Sequence, residues 1–226
     1  MDTLFDPLVE SIVAQIKPIC EQLETLPVPE RIEALNKIRL ALHEVSPFKD
    51  PVDCVLWVPG DNVTPNDYNP NNVSPPKMKS LKWSIAKDHY TQPVVTCPVD
   101  EDKNYVSPGD DPDRYVVVDG EHRYKVGTED RGIKKRLMGY LPVTTILQSR
   151  SGRTNLMGAT YRHNDARGVH GVVPMTDIIT NLIRLGWTDD EVAKELGMDA
   201  DEVLRFKHVA GLADLFKDRE YSKAWE

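Results

Sequence analysis

A chain of 226 residues, 40% hydrophobic and 28% charged, can bury one good core with accessory elements or two small domains, and it is too apolar to stay disordered. A formal net charge of -8 excludes a protein coated in basic surface for nonspecific nucleic-acid binding. The longest apolar run is only a few residues, and Met1-Asp2-Thr3-Leu4-Phe5-Asp6 lacks the basic and apolar regions of a secretory signal, so the expectation is a soluble, cytoplasmic protein with no membrane partner.

In chain order, Leu8, Ile12, Ile16, Ile19 and Leu23, then Ile32, Leu35, Ile38 and Leu42, repeat at the three-to-four spacing of amphipathic helices. Leu26-Pro27-Val28-Pro29 divides them into a hairpin, because proline stops one helix and can open the next at its first turn. Pro18 predicts a kink or an early break in the first helix. The hairpin, residues 1–50, reads as a structural element that packs on the next domain or on a second copy of the chain.

Residues 51–150 switch to strand-like runs at Cys54–Val58, Pro93–Val99, Arg114–Val118 and Pro142–Leu147. A turn-rich stretch, residues 59–70, and a helix from about Pro76 to Lys87 lie between the first two, and Ser107-Pro108-Gly109-Asp110-Asp111-Pro112 marks a surface turn. Residues 151–226 return to a helical period. Met175–Leu185 forms one helix ended by Gly186. Thr188-Asp189-Asp190-Glu191 has capping-box spacing before a helix to Leu196, and Gly197 with the capping Asp199 leads into Ala200–Val209. The fold class is therefore α+β: a helical hairpin, a small mixed-sheet domain and a C-terminal helix-turn-helix module. Cys20, Cys54 and Cys97 are odd in number and have no C-x-x-C spacing, so all three read as buried thiols.

Charge is unevenly spread. Residues 121–170 hold ten Lys/Arg against four acids, with His122, His163 and His170 in the same stretch. An anionic ligand is expected there. The valine run 116–118 leads directly into Asp119-Gly120-Glu121-His122-Arg123. Glycine lets the backbone approach a ligand, a following helix N-terminus favours phosphate oxygens, and Arg123 adds a charge-assisted fork. By residue pattern alone, a solvated strand-end turn fits equally well.

Val118-Asp119-Gly120-Glu121-His122-Arg123-Tyr124 resembles the G-E-R-R box of ParB partition proteins, the G-C-H-R box of sulfiredoxins and the D-G-H-H-R box of ParB-fold free serine kinases. Pro65-Asn66-Asp67-Tyr68-Asn69-Pro70-Asn71, Leu81, Ser84-Ile85 and Gln92-Pro93-Val94 resemble the first ParB box and its continuation. His163-Asn164-Asp165-Ala166-Arg167 resembles the E-N-x-x-R box. Over nearly its full length the chain resembles the IbrB-like branch of this ParB/sulfiredoxin-like superfamily. The marks of that branch are Leu42-His43-Glu44-Val45-Ser46-Pro47-Phe48, Asn164-Asp165-Ala166-Arg167-Gly168-Val169-His170 and Gly186-Trp187-Thr188-Asp189.

That resemblance implies a nucleoside triphosphate, CTP or ATP, bound with magnesium. Gly120, Glu121, His122, Arg123, Asn164 and Arg167 would contact the nucleotide, and Asn164 would hold the metal directly or through water. Glu121 stands where sulfiredoxins carry their catalytic cysteine, so sulfinic-acid reduction is not expected. His163 stands where ParB proteins carry the glutamate that supports hydrolysis, so binding carries over better than turnover. If there is catalysis, Glu121 is the base.

Ala193, Gly197 and Val203 fall where helix-turn-helix units place a small residue, a turn glycine and a packing aliphatic, and Arg205, Lys207 and His208 would meet DNA. Residues 174–226 nevertheless hold seven Lys/Arg against twelve acids, so this module needs dimerisation or the basic middle segment to bind DNA tightly. Three functions stay open. One is a nucleotide-binding, DNA-binding regulator of the IbrB-like co-activator type, acting as a homodimer. Another is a magnesium-dependent NTPase, kinase or nuclease using the same pocket. The third is a non-catalytic partner of an ATP-using enzyme resembling phosphoadenosine-phosphosulfate (PAPS) reductase.

Overall fold

The structure is a computed structural model that describes residues 7–67, 74–110, 112–165 and 172–209. The chain divides into two compact units, residues 1–57 and 58–226. Among the described residues, no helix is long and apolar enough to cross a membrane.

In the first unit, helix α1 (Pro7–Glu24) and helix α2 (Val28–Val45) form the expected hairpin, with Pro27 at the α2 N-cap. The guanidinium of Arg31 donates to the carbonyls of Glu24 (2.5 Å) and Leu26 (3.0 Å), placing a cation at the negative end of α1. The expected break at Pro18 does not occur, and α1 runs through it. Proline removes one amide donor from the helix, but this stretch of α1 is exposed, so water can satisfy the carbonyl left behind. Cys20 is exposed rather than buried, whereas Cys54 and Cys97 are buried as expected. Leu8, Ile12, Ile16 and Ile19 all remain exposed. A 3-10 turn, Pro51–Asp53, follows. It is tied back by Asp53, which contacts His43 Nδ1 at 2.7 Å.

The sheet has the order β1-β5-β3-β4-β2 and is built from β1 (Leu56–Pro59), β2 (Val63–Thr64), β3 (Val94–Val99), β4 (Arg114–Asp119) and β5 (Tyr140–Thr145). The division between the units falls within β1. Strand β3 runs antiparallel to β4 and parallel to β5, and β2 runs parallel to β4. Val94, Val117, Val118 and Val143 are fully buried, as expected for inner strands covered on both faces. Helix α3 (Pro75–Asp88) precedes β3, and helices α4 (Glu121–Glu129) and α5 (Arg131–Arg136) link β4 to β5.

After β5 come α6 (Arg153–Asp165), α7 (Val172–Arg184), α8 (Asp189–Leu196) and α9 (Ala200–Val209). The Thr188–Glu191 capping box is present, and Gly197 takes the left-handed conformation (φ 69°) that lets the chain turn from α8 into α9. Ile179, Leu182, Val192, Leu196 and Val203 form the core of this helical set, with Trp187 and Phe206 packed against it. Met157 of α6 belongs to the same core. Leu156 and Ala159, its close neighbours in sequence, pack instead with Cys97, Val99, Val118 and Ile146 of the sheet region. Helix α6 thus lies between the sheet and the helix-turn-helix and shares side chains with both.

Candidate functional site

The valine strand β4 ends in Asp119, which is 4% exposed, and Gly120 follows at φ 90°, ψ 27° as the N-cap of α4. Only glycine takes this left-handed geometry without strain. It makes the strand-to-helix turn abrupt and sets the positive end of the α4 dipole at the strand terminus.

Arg123 folds back over that turn. Its Nη2 donates to Asp119 Oδ2 at 3.0 Å and its Nη1 to Gln92 Oε1 at 2.9 Å. A Cβ added to Gly120 would lie 2.8 to 3.1 Å from the guanidinium atoms, so the missing side chain is what admits Arg123. The backbone of Arg123 is held too, because Tyr90 donates its hydroxyl to the Arg123 carbonyl at 2.5 Å. Burial pushes the Tyr90 hydroxyl up to about 12, partly countered by the charges of Arg123 and Arg136, so it stays a donor at neutral pH. Arg123, the arginine expected to bind phosphate, is held in this structure by Asp119 and Gln92.

Glu121 is largely covered, and its carboxylate meets Lys125 Nζ at 2.6 Å one turn along α4. His122 is half-buried on the same helix.

The first sequence box reaches the same strand, and so does α6, the helix in which the third box begins. Asn66 Nδ2 donates to the Val117 carbonyl at 2.8 Å, and Asp67 pairs with Arg153 at 3.1 Å. Thr160, fully buried in α6, donates its hydroxyl to the Val118 carbonyl at 2.7 Å. His163, exposed, and Asn164 stand about one turn further along α6. The Asn164 side chain, Arg167 and His170 lie outside the described residues. Among the described residues, no three of His, Cys, Asp and Glu gather as a metal-ligand cluster.

From the α6 side, the helix-turn-helix is fastened by ions as well as by Met157. Glu195 of α8 accepts from Arg150 and from Arg162. Burial raises its pKa, but hydrogen bonds and charge from the two arginines outweigh that and leave it below the ordinary glutamate value. Gly158 makes the approach possible, since a Cβ there would lie 3.0 Å from Glu195 Cγ. Of the residues expected to meet DNA, Arg205 and His208 are exposed, while Lys207 is mostly covered and bonded to Asp189 at 2.6 Å, tying α9 to the start of α8. The N-terminus of α9 is closed by its own acids: Asp199 accepts from the Glu202 amide (2.7 Å), and Glu202 accepts from the Asp199 amide (3.0 Å).

Several residues that shape the site had no distinct signal in the sequence. Gln92 and Asn66 lay inside quoted motifs without a role, Arg150, Arg162 and Glu195 entered only through the charge counts, and Thr160 carried no pattern at all.

Residues 170–218 match the family described as the IbrB-like C-terminal HTH domain. The chain is 50% identical over 204 residues to the uncharacterized protein YbdM of Escherichia coli (strain K12), covering 90% of this chain and 91% of that protein. Among solved structures, it is similar to the C-terminally truncated chromosome-partitioning protein ParB from Caulobacter crescentus complexed to the centromeric parS site. That match has a TM-score of 0.44 and 16% identity, covering 71% of this chain and 76% of that one. The same ParB complexed with CTP-gamma-S matches at TM-score 0.37 and 15% identity, covering 73% and 87%. A Pnob8-like ParB-N domain matches at TM-score 0.38 and 14% identity, covering 71% and 50%.

Proposed function

The chain belongs to the same family as YbdM and carries the IbrB-like helix-turn-helix domain, and from that premise we propose that it is a nucleotide-responsive, DNA-binding regulator. The nucleotide is a nucleoside triphosphate, CTP or ATP, seated where β4 turns into α4. Gly120, Glu121, His122 and Arg123 line one side of it, and Asn164 and Arg167 close the other. Magnesium comes with the phosphates, keeps most of its waters and meets Asn164. DNA is met by α9 through Arg205 and His208, and by Lys207 where it leaves Asp189. The working form is a homodimer, for which the exposed apolar face of α1 offers a surface.

The observation that supports this reading is the bond from Thr160 to the Val118 carbonyl, which ties α6, the helix in which the Asn164 motif begins, to the strand that leads into Gly120. Helix α6 also shares Met157 and the Glu195 ion pairs with the helix-turn-helix, so a ligand that moves α6 moves the DNA-binding helices with it. The reading is tested by titrating the protein into labelled duplex DNA at low salt, with and without magnesium and CTP or ATP. A nucleotide-dependent change in affinity supports it, and no binding under any condition removes the DNA half.

A second reading is favoured by the acids at the start of α9, Asp199, Asp201 and Glu202, which repel a phosphate backbone. On this reading the module docks on a basic face of an ATP-using enzyme resembling PAPS reductase. Co-purification of the two proteins distinguishes it.

A further inference from the structure

Helix α3 is basic within a chain of net charge -8: Pro75–Asp88 carries Lys77, Lys79, Lys82 and Lys87 against the single acid Asp88. One side of the helix belongs to the fold. Ile85 is 5% exposed, and Met78 and Leu81 on the same side are half-buried. At 3.6 residues per turn, Trp83 projects from the opposite side, and it is 65% exposed. Lys79 and Lys87 lie four residues before and after it, on the same face, and both are exposed. Lys87 Nζ sits 4.8 Å from the centroid of the Trp83 ring. A cavity of about 510 Å³ runs along this face, lined among the described residues by Pro76, Lys79, Ser80, Lys82, Trp83 and Ala86.

The helix is firmly seated. Arg136 of α5 donates to the carbonyls of Ile85 (2.9 Å) and Ala86 (3.3 Å), and Lys82 pairs with Asp130 at the head of α5. Arg136 adds a further cation at the C-terminal end of the helix. Trp83 is thus presented to solvent by a rigid element, and no burial requirement accounts for so large an apolar ring there.

We propose that this face of α3 is a single-stranded nucleic-acid contact, with a base stacked on Trp83 and phosphates on Lys79 and Lys87. An exposed indole between two cations, with no acid of α3 on that face, matches the two elements that sequence-tolerant strand binding needs: a π-surface for a base and positive charge for the backbone. The eight residue steps from Lys79 to Lys87 span about 12 Å along the helix, enough for more than one nucleotide. The helix-turn-helix module has a negative net charge, so this face also supplies electropositive surface that the module lacks. The proposal does not depend on nucleotide at the β4–α4 turn or on duplex binding by α9.

The test is fluorescence anisotropy of the full chain against labelled oligothymidylate and oligoadenylate across a salt series, for the parent, Trp83→Ala, Trp83→Phe and Lys79→Ala/Lys87→Ala. The expected result is that Trp83→Ala weakens binding roughly tenfold with no change in salt slope, and that Trp83→Phe, which keeps a ring to stack on, retains most of it. The double lysine variant lowers the slope of log affinity against log salt by about 0.7 per lysine. Trp83 is exposed, so these variants keep the parent's circular dichroism and melting midpoint. A parent that binds neither strand at low salt overturns the proposal, and so does a Trp83→Ala protein that binds as the parent does. Loss on duplex but not on single strands also overturns it. Arg205→Ala/His208→Ala, which removes the proposed duplex contacts, leaves single-strand binding intact if the α3 face is the site.

Discussion

Thr160 of α6 gives its hydroxyl proton to the carbonyl of Val118 at 2.7 Å, inside a fully buried environment at the end of the central valine strand. Forty-two residues of chain separate the two, and this bond ties helix α6, in which the third motif begins, to the strand that leads into the second.

Replacing Thr160 with Val keeps the shape and removes the donor. The Val118 carbonyl then loses a buried partner, which costs about 1–3 kcal/mol. Urea denaturation should show a lower midpoint with an unchanged slope. Nucleotide affinity should fall further than stability alone explains, because α6 is no longer pinned to the end of β4.

Gly127 in α4 is a packing requirement rather than a turn. A Cβ there would lie 2.4 Å from Leu141 Cδ2 and 2.4 Å from the Tyr90 hydroxyl. Gly127→Ala is therefore expected to destabilise by about 1–3 kcal/mol, against the usual helical preference for alanine. Thermal melting of Gly127→Ala and of Gly127→Ala/Tyr90→Phe checks the cause. Removing the hydroxyl should recover part of the loss.

Glu195 should give the chain a measurable acid sensitivity. Its folded pKa is below the ordinary value of 4.5, so its contribution is complete above that value and disappears as pH falls through the folded pKa. At pH 7, Glu195→Gln should cost roughly 1–2 kcal/mol, a figure moderated by the partial exposure of Arg150 and Arg162. Stability of the parent and the variant, followed by denaturant titration from pH 7 downward, should converge below pH 4.5.

Local signals were the readable ones. Pro27 between two runs at helical spacing marked the α1–α2 hairpin, the Thr188–Glu191 spacing marked the start of α8, and the valines marked β4. Helix α6 was illegible for a physical reason: Leu156, Met157, Gly158, Ala159 and Thr160 are buried in succession, because the helix is covered by the sheet on one side and the helix-turn-helix on the other. An all-round buried helix has no amphipathic period. Short α5 was hidden in a basic run and is held by the Asp130 cap, which accepts from the Gly132 and Ile133 amides. Within the site, Gly120 was legible as a backbone requirement. The pairing of Arg123 with Gln92 was not, because thirty-one residues separate them and only the fold brings them together.

Gly120→Ala separates that site from the rest of the fold. It places a side chain in the left-handed region, at a cost of about 1–2 kcal/mol, and pushes the guanidinium of Arg123 off Asp119. The variant should remain folded by circular dichroism and lose nucleotide binding.

The most direct measurement is isothermal titration of the full chain with each of the four ribonucleoside triphosphates in magnesium buffer, run in parallel on Gly120→Ala and Arg167→Ala. Saturable heat with CTP or ATP, weakened at least roughly tenfold in both variants, is the expected result, since each removes a charge-assisted or backbone contact to phosphate. No heat with any of the four, or equal binding by parent and variants, would contradict a triphosphate held between the β4–α4 turn and the segment that follows α6.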